Sequence, residues 1–214
     1  LGNIKVSALF GENLWIYPNH RGNLIRKVSY VLDYNFNSPN NARFDGLHLD
    51  IEPHVLEEWG SEKEKLSEMY IKTLSLVREL MTDSSTDIEL EVDVPSNYSQ
   101  MDSFLNKVVE LVDTLIVMAY HSKSPYSVID STKEEINLVN KENKGVIIGL
   151  NASDFLDENE LEELILKISE KLSNIDFFQG FAIHEFNNYQ ALTKAVGTRT
   201  VSIEHPQLPQ TRRK

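Results

Sequence analysis

The chain is expected to fold as an α/β protein of the (β/α) TIM-type barrel class, with about six strand–helix units. Two observations lead there. Short apolar runs alternate strictly with amphipathic helical segments, which implies parallel strands joined by crossover helices. No glycine-rich phosphate loop interrupts that pattern, which argues against a dinucleotide-binding sheet. The usual barrel has eight units in ~250 residues. Six units in 214 residues therefore lead us to expect that the first two are absent from this chain, or that the barrel is incomplete. A doubly wound open sheet is the alternative topology.

The first strand is Lys5–Phe10, and the helix after it, near His20–Asn35, sets Leu24, Val28, Val31 and Leu32 on one stripe. The second strand is Gly46–Glu52, where Leu47, Leu49 and Ile51 alternate with His48, Asp50 and Glu52. Ser61-x-x-Glu64 reads as the capping box of the next helix, which continues through Leu66, Met69, Thr73, Leu74, Val77 and Leu80. The third strand, Ile88–Val94, is stopped by Pro95 and followed by a helix near Asp102–Val112. The fourth, Thr114–Tyr120, leads through a loop containing Pro125 to a helix opened by Ser131-x-x-Glu134. The fifth, Gly145–Leu150, precedes a helix at Glu158–Leu172 whose Leu161, Leu164, Ile165, Ile168 and Leu172 form a buried stripe. The sixth, Phe178–His184, precedes a short helix near Asn188–Val196. The expected domain is 1–197, and 198–214, with two prolines and a basic end, reads as a tail or linker.

A hydrophobic fraction of 41% without any long apolar run describes one globular core and no membrane span. The chain opens with Leu1 and shows no signal-peptide pattern, so a processed or excised chain is expected. A formal net charge of −12 disfavours nucleic acid and anionic membranes as partners, and a neutral or cationic ligand is easier to accommodate. The tail carries Arg199, Arg212, Arg213 and Lys214 against Glu204, which leaves the remainder more acidic still. With no cysteine, disulfides and thiolate chemistry are excluded and the compartment stays open.

In barrels the active site forms at the C-terminal ends of the strands. Those ends supply Glu12, Asn13 and Trp15, then Asp50 and Glu52, Asp93, Tyr120 and His121, Asn151, and finally His184 and Glu185. The opposite ends supply mostly turn residues, so polar groups converge on one mouth. On a strand covered by helices, a face of His48, Asp50 and Glu52 is costly to desolvate unless it is paired or used. Asp50 and Glu52 should lie ~6.6 Å apart along that face. Two such carboxylates repel, and the more buried one keeps its proton to higher pH. Glu52 is thus the candidate general acid beside an ionised Asp50, with Tyr120 as a hydrogen-bond partner for the substrate. His48 lies deeper, either in the site or in a network on the barrel floor. Glu89 and Glu91 belong to a solvated or strand-base position, and His20 and His205 to the surface. His54 could line the mouth. Trp15, Trp59, Tyr98, Tyr126 and Phe186 fall in loops, where they either stack on sugar rings or cover the core.

Asp45-Gly46-Leu47-His48-Leu49-Asp50-Ile51-Glu52 resembles the Asp-Gly-x-Asp-x-Asp-x-Glu strand of family 18 glycoside hydrolases, the chitinase-like barrels. Met118-Ala119-Tyr120 resembles their Met-x-Tyr strand. With Gly180-Phe181-Ala182-Ile183-His184, the set is similar to uncharacterised bacterial chitinase-like proteins with a His-x-Asp-x-Glu-Pro strand. The resemblance covers most of residues 4–196 and implies that the first strand here is the third of the barrel. It implies Glu52 as the acid, Asp50 as the group orienting an N-acetyl substituent, and Tyr120 as a holder of the acetamido group. It also favours an extracellular or cell-surface location. His48 stands where the family has an Asp, and His121 follows Tyr120 where Asp is usual. The last strand ends in His184-Glu185 where the family places a tryptophan.

The expectation is a glycoside hydrolase acting on an amino-sugar-containing polysaccharide by carboxylic acid/base catalysis, with substrate assistance as the resemblance implies. Glu52, Asp50 and Tyr120 would be catalytic; His48, Asp93, Met118, His121, Asn151, His184, Glu185 and Trp15 would bind the substrate. No cofactor is implied. A metal-dependent hydrolase using His48, Asp50, Glu52, His121 and His184 is one alternative, although no recognised zinc motif is present. A non-catalytic carbohydrate-binding barrel is the other.

Overall fold

In a computed structural model, residues 4–195 are described. The expected tail, 198–214, and the domain boundary at 197 lie outside the described residues. Six strands form one parallel sheet: β1 Ser7–Gly11, β2 Gly46–Asp50, β3 Glu89–Pro95, β4 Thr114–Met118, β5 Gly145–Asn151 and β6 Phe178–His184. Six α-helices follow them in turn: α1 Arg21–Asn37, α2 Trp59–Asp83, α3 Asp102–Leu111, α4 Pro125–Lys141, α5 Glu158–Leu172 and α6 Phe186–Ala195. The strand order is β1-β2-β3-β4-β5-β6. A doubly wound sheet reverses direction at a switch point, and this one never does, so that alternative falls. The sheet curls into a partial TIM-type barrel that is not closed, with β1 and β6 as its two edges. Among the described residues no helix is long and apolar enough to cross a membrane.

Register explains where the core sits. Leu47 and Leu49 of β2, Leu90, Val92 and Val94 of β3, Leu115 and Val117 of β4, and Val146, Ile148 and Leu150 of β5 are all buried. These alternate positions form the outer face, packed beneath stripes such as Leu24, Val28, Leu66, Tyr70, Leu74, Leu164 and Ile168 from the helices. The period-two alternation then assigns His48, Asp50, Glu91 and Asp93 to the concave face. At the open edge Leu9, paired in register with His48, is 59% exposed.

Strand bounds differ from the sequence expectation by one or two residues, but two helix starts differ for a physical reason. The box Ser61-x-x-Glu64 does not form: α2 begins at Trp59, Ser61 Oγ donates to the Glu58 carbonyl, and Glu62 has non-helical φ and ψ. Likewise Ser131 lies inside α4, which opens at Ser124: its Oγ accepts from Ser127 N–H (3.1 Å), and Pro125 takes the first turn, where a missing N–H costs nothing.

The approach to β2 is fixed by Asn35, a fully buried side chain in the last turn of α1. Its Nδ2–H donates to the Phe44 carbonyl (2.8 Å), and Phe44 N–H donates to its Oδ1 (2.9 Å). Asn35→Ala would strand both backbone groups. It is expected to cost about 2–4 kcal/mol in urea unfolding, and a cost below ~1 kcal/mol would contradict this clamp.

Candidate active site

Glu52 stands two residues beyond the end of β2, and its backbone N–H donates to Asn13 Oδ1 (2.7 Å) from the 3-10 turn Asn13–Ile16 after β1. That bond crosses from one strand end to the next and fixes where the Glu52 side chain starts. Below it, Asp50 and His48 share the concave face. His48 Nε2 lies 2.9 Å from Asp93 Oδ2 on the neighbouring strand, and its Nδ1 lies 3.8 Å from Glu91 Oε2. Ser7 Oγ donates to Glu91 Oε1 (2.8 Å). A polar chain of Ser7, Glu91, His48 and Asp93 thus rises through the concave face toward Asp50 and Glu52. Asp50 Oδ1 is buried and has no hydrogen-bond partner among the described residues.

Burial is the first cause that lifts the Asp50 and Glu52 carboxyls above the ordinary carboxylate range. Asp93 adds repulsion to both, Asp50 adds more to Glu52, and His48 and His184 pull Asp50 partly back. For His48, burial disfavours the imidazolium, but the hydrogen bond to Asp93 and the charges of Asp93, Glu91 and Asp50 outweigh it and the net shift is upward. Tyr120 is raised too, by burial and then by Asp93, Asp50 and Glu52, so its phenol keeps its proton.

The remaining sequence candidates are placed unequally. Tyr120 stacks on the His184 ring, with centroids 5.6 Å apart at 27°, which brings the ends of β4 and β6 together. Met118 closes β4 in register with Pro95 and Gly149, half-buried. His184 and Glu185 are exposed at the end of β6. Asn151 spends its Oδ1 on Ser153 N–H (3.0 Å) and Ser153 Oγ (2.8 Å), as the cap of a short 3-10 turn. His121 sits at φ 63°, its side chain 85% exposed, with Nδ1 3.2 Å from Asp154 Oδ1. Trp15 is 5% exposed and packs in the core. The sequence puts His54 near the mouth and Tyr98 among the loop aromatics but names no role beside Glu52 for either; His54 Nε2 lies 3.2 Å from Glu52 Oε2 and its Nδ1 3.2 Å from Tyr98 Oη. The available signal was the Glu-Pro-His sequence, a proline turn directly after the strand. The donors named for a metal do not gather: among the described residues no group of three or more His, Cys, Asp or Glu side chains is placed to hold an ion.

Comparison of the folds places this geometry in context. The structure is similar to that of a chitinase from Chromobacterium violaceum, with a TM-score of 0.54 at 11% identity over 92% of this chain and 81% of that chain. The fold is shared with a chitinase. A xylanase and alpha-amylase inhibitor protein, XAIP-II, from Scadoxus multiflorus also matches, with a TM-score of 0.49 at 14% identity over 90% of this chain and 72% of that chain. No protein-family model and no curated protein matches the chain. At such identities the likeness speaks for the fold, and the chemistry must be argued from the residues.

The His48–Asp93 pair has a testable sign. Because the folded-state pKa of His48 is raised, the pair's contribution is complete below the ordinary histidine value and disappears as pH rises through the raised one. The stability difference between wild type and His48→Gln is therefore expected to be larger at about pH 5 than at about pH 9. Equal differences in denaturant titrations at the two pH values would contradict the pairing.

Proposed function

We propose that the chain is a glycoside hydrolase that cleaves an amino-sugar-containing polysaccharide by carboxylic acid/base catalysis with substrate assistance. One observation carries the proposal: Asp50 closes β2, Glu52 stands two residues beyond it at the same strand end, and burial with repulsion from Asp50 raises the pKa of Glu52 while burial and Asp93 raise that of Asp50. The resemblance of the Asp45–Glu52 strand to that of family 18 enzymes, and the fold shared with a chitinase, support the substrate class.

In this reading protonated Glu52 gives its proton to the glycosidic oxygen as the C–O bond breaks, and the leaving sugar departs as an alcohol. The carbonyl oxygen of the substrate's own acetamido group closes on the anomeric carbon, forming a cyclic oxazolinium ion. Asp50, whose Oδ1 has no protein partner, accepts the acetamido N–H and balances the positive charge. Tyr120 O–H, kept protonated, donates to the acetamido oxygen. Water then attacks the anomeric carbon while the Glu52 carboxylate takes its proton, which restores both the acid and the amide. Asp93, held by His48, adds to the burial and the Asp50 repulsion that raise the Glu52 pKa.

Glu52→Gln is expected to lower turnover of chitin, peptidoglycan or other amino-sugar oligomers by about 10²–10⁴-fold, read by mass spectrometry of products, while oligomer binding is retained. Products formed equally well by Glu52→Gln would contradict the acid role. Saturable binding without turnover by the wild type would replace a hydrolase with a carbohydrate-binding barrel.

A further inference from the structure

Glu52 has a neighbour that the reaction above does not use. The 3-10 turn Pro53–Val55 follows it directly and carries His54 back over the carboxyl, so that Nε2 stands 3.2 Å from Glu52 Oε2. The other ring nitrogen, Nδ1, stands 3.2 Å from Tyr98 Oη, in the 3-10 turn Tyr98–Met101 after β3. Tyr98 is 2% exposed and its ring is fixed on three sides. It stacks on Trp59 (6.1 Å, 23°), meets Phe104 edge-on (5.1 Å, 68°) and packs against His54 itself (5.7 Å, 87°). Elements following two different strands, together with the first residue of α2, are thus spent on orienting one imidazole beside the carboxyl.

The protonation states follow from burial. Burial lowers the His54 pKa, so its ring is neutral and carries a single N–H. Burial, and then the Glu52 charge, raise that of Tyr98, so its phenol stays protonated. A phenol O–H donating to Nδ1 leaves the ring proton on Nε2, the nitrogen that faces Glu52. We propose that His54, locked by Tyr98 as its Nε2–H tautomer, is the positioning residue of Glu52: its N–H stands against Oε2 at 3.2 Å, so the transferable proton resides on Oε1. The proposal rests on reading Glu52 as the acid. The titratable groups electrostatically coupled to Glu52 are Asp50 at the end of β2, Asp93 on β3, Tyr98 after β3, Tyr120 after β4 and the buried Tyr70 of α2. The two carboxylates oppose ionisation of Glu52; the His54 N–H favours it, which lets a strongly held proton be released.

The test uses the intact chain labelled with ¹⁵N-histidine and ¹³C-carboxyl glutamate, without substrate, with Glu52→Gln identifying the Glu52 resonance. Wild-type His54 is expected to show the Nε2–H tautomer at neutral pH, and Tyr98→Phe to mix in the other. His54→Leu should make Glu52 bind its proton about tenfold more tightly, moving its titration to higher pH. His54→Gln, whose side-chain amide can present an N–H at the same place, should reverse most of that change. A general loss of structure would lower stability without this rescue. An Nδ1–H tautomer in the wild type, or an unchanged Glu52 titration in His54→Leu, would overturn the proposal. If His54→Leu does not fold, the wild-type tautomer decides alone. Turnover by the wild type with no His54 effect would retire only this inference; the expected tautomer and shift without any turnover would retire only the glycosidase reading.

Discussion

Desolvation of two neighbouring carboxyls, Asp50 and Glu52, beside the charge of Asp93, is the constraint around which the rest of this structure is arranged. A curled parallel sheet with helices on its outer face turns alternate side chains of β2 and β3 toward a concave space, and this sequence fills that space with acids. Each would be expensive there if ionised and alone. Asp93 is compensated by His48, and Glu91 by Ser7 and His48. Asp50 Oδ1 has no partner among the described residues and Glu52 faces only the neutral His54 ring, and burial lifts both carboxyls above the ordinary carboxylate range. The cost falls on folding: their raised pKa values mean that stability is lost as pH climbs from the ordinary carboxylate range through the raised one. A fold that tolerates this at one strand end, over an outer face packed as tightly as Leu47, Leu49 and Leu90, has the character of a stability–function compromise.

Much of the architecture was legible in the sequence because a parallel strand under helices carries a strong signal. Leu47, Leu49 and Ile51 against His48, Asp50 and Glu52 is a period-two pattern with no competing helical reading, and the strand and its faces follow from it. Helix starts were harder. Ser61-x-x-Glu64 and Ser131-x-x-Glu134 both satisfy a capping pattern, but at α4 Ser124-Pro125 supplies a better cap one turn earlier, and at α2 the chain is already helical by Trp59. Capping motifs are local, and packing decides which of several candidates is used.

The site was legible in part. Strand-end position set Asp50, Glu52, Asp93 and Tyr120 at one mouth, and in the structure the charges of Asp50 and Asp93 reach both Glu52 and Tyr120. Position alone said nothing of what occupies a side chain: Trp15 is committed to the core, Asn151 to a cap and His121 to Asp154. His54 was obscured for a different reason. It lies beyond Pro53, out of strand register, and its approach to Glu52 depends on a turn geometry and on Tyr98 from another strand end, neither of which a periodic pattern encodes.

The shared fold with a chitinase sets the frame, and Asp50 with Glu52 just beyond β2 sets the chemistry proposed within it. The account stands or falls on whether Asp50 really holds the Glu52 proton in place. The most direct measurement is the carboxyl ¹³C titration of Glu52 in the wild type and in Asp50→Asn. The account predicts that Glu52 titrates at lower pH once the Asp50 charge is gone. An unchanged or higher midpoint would contradict it.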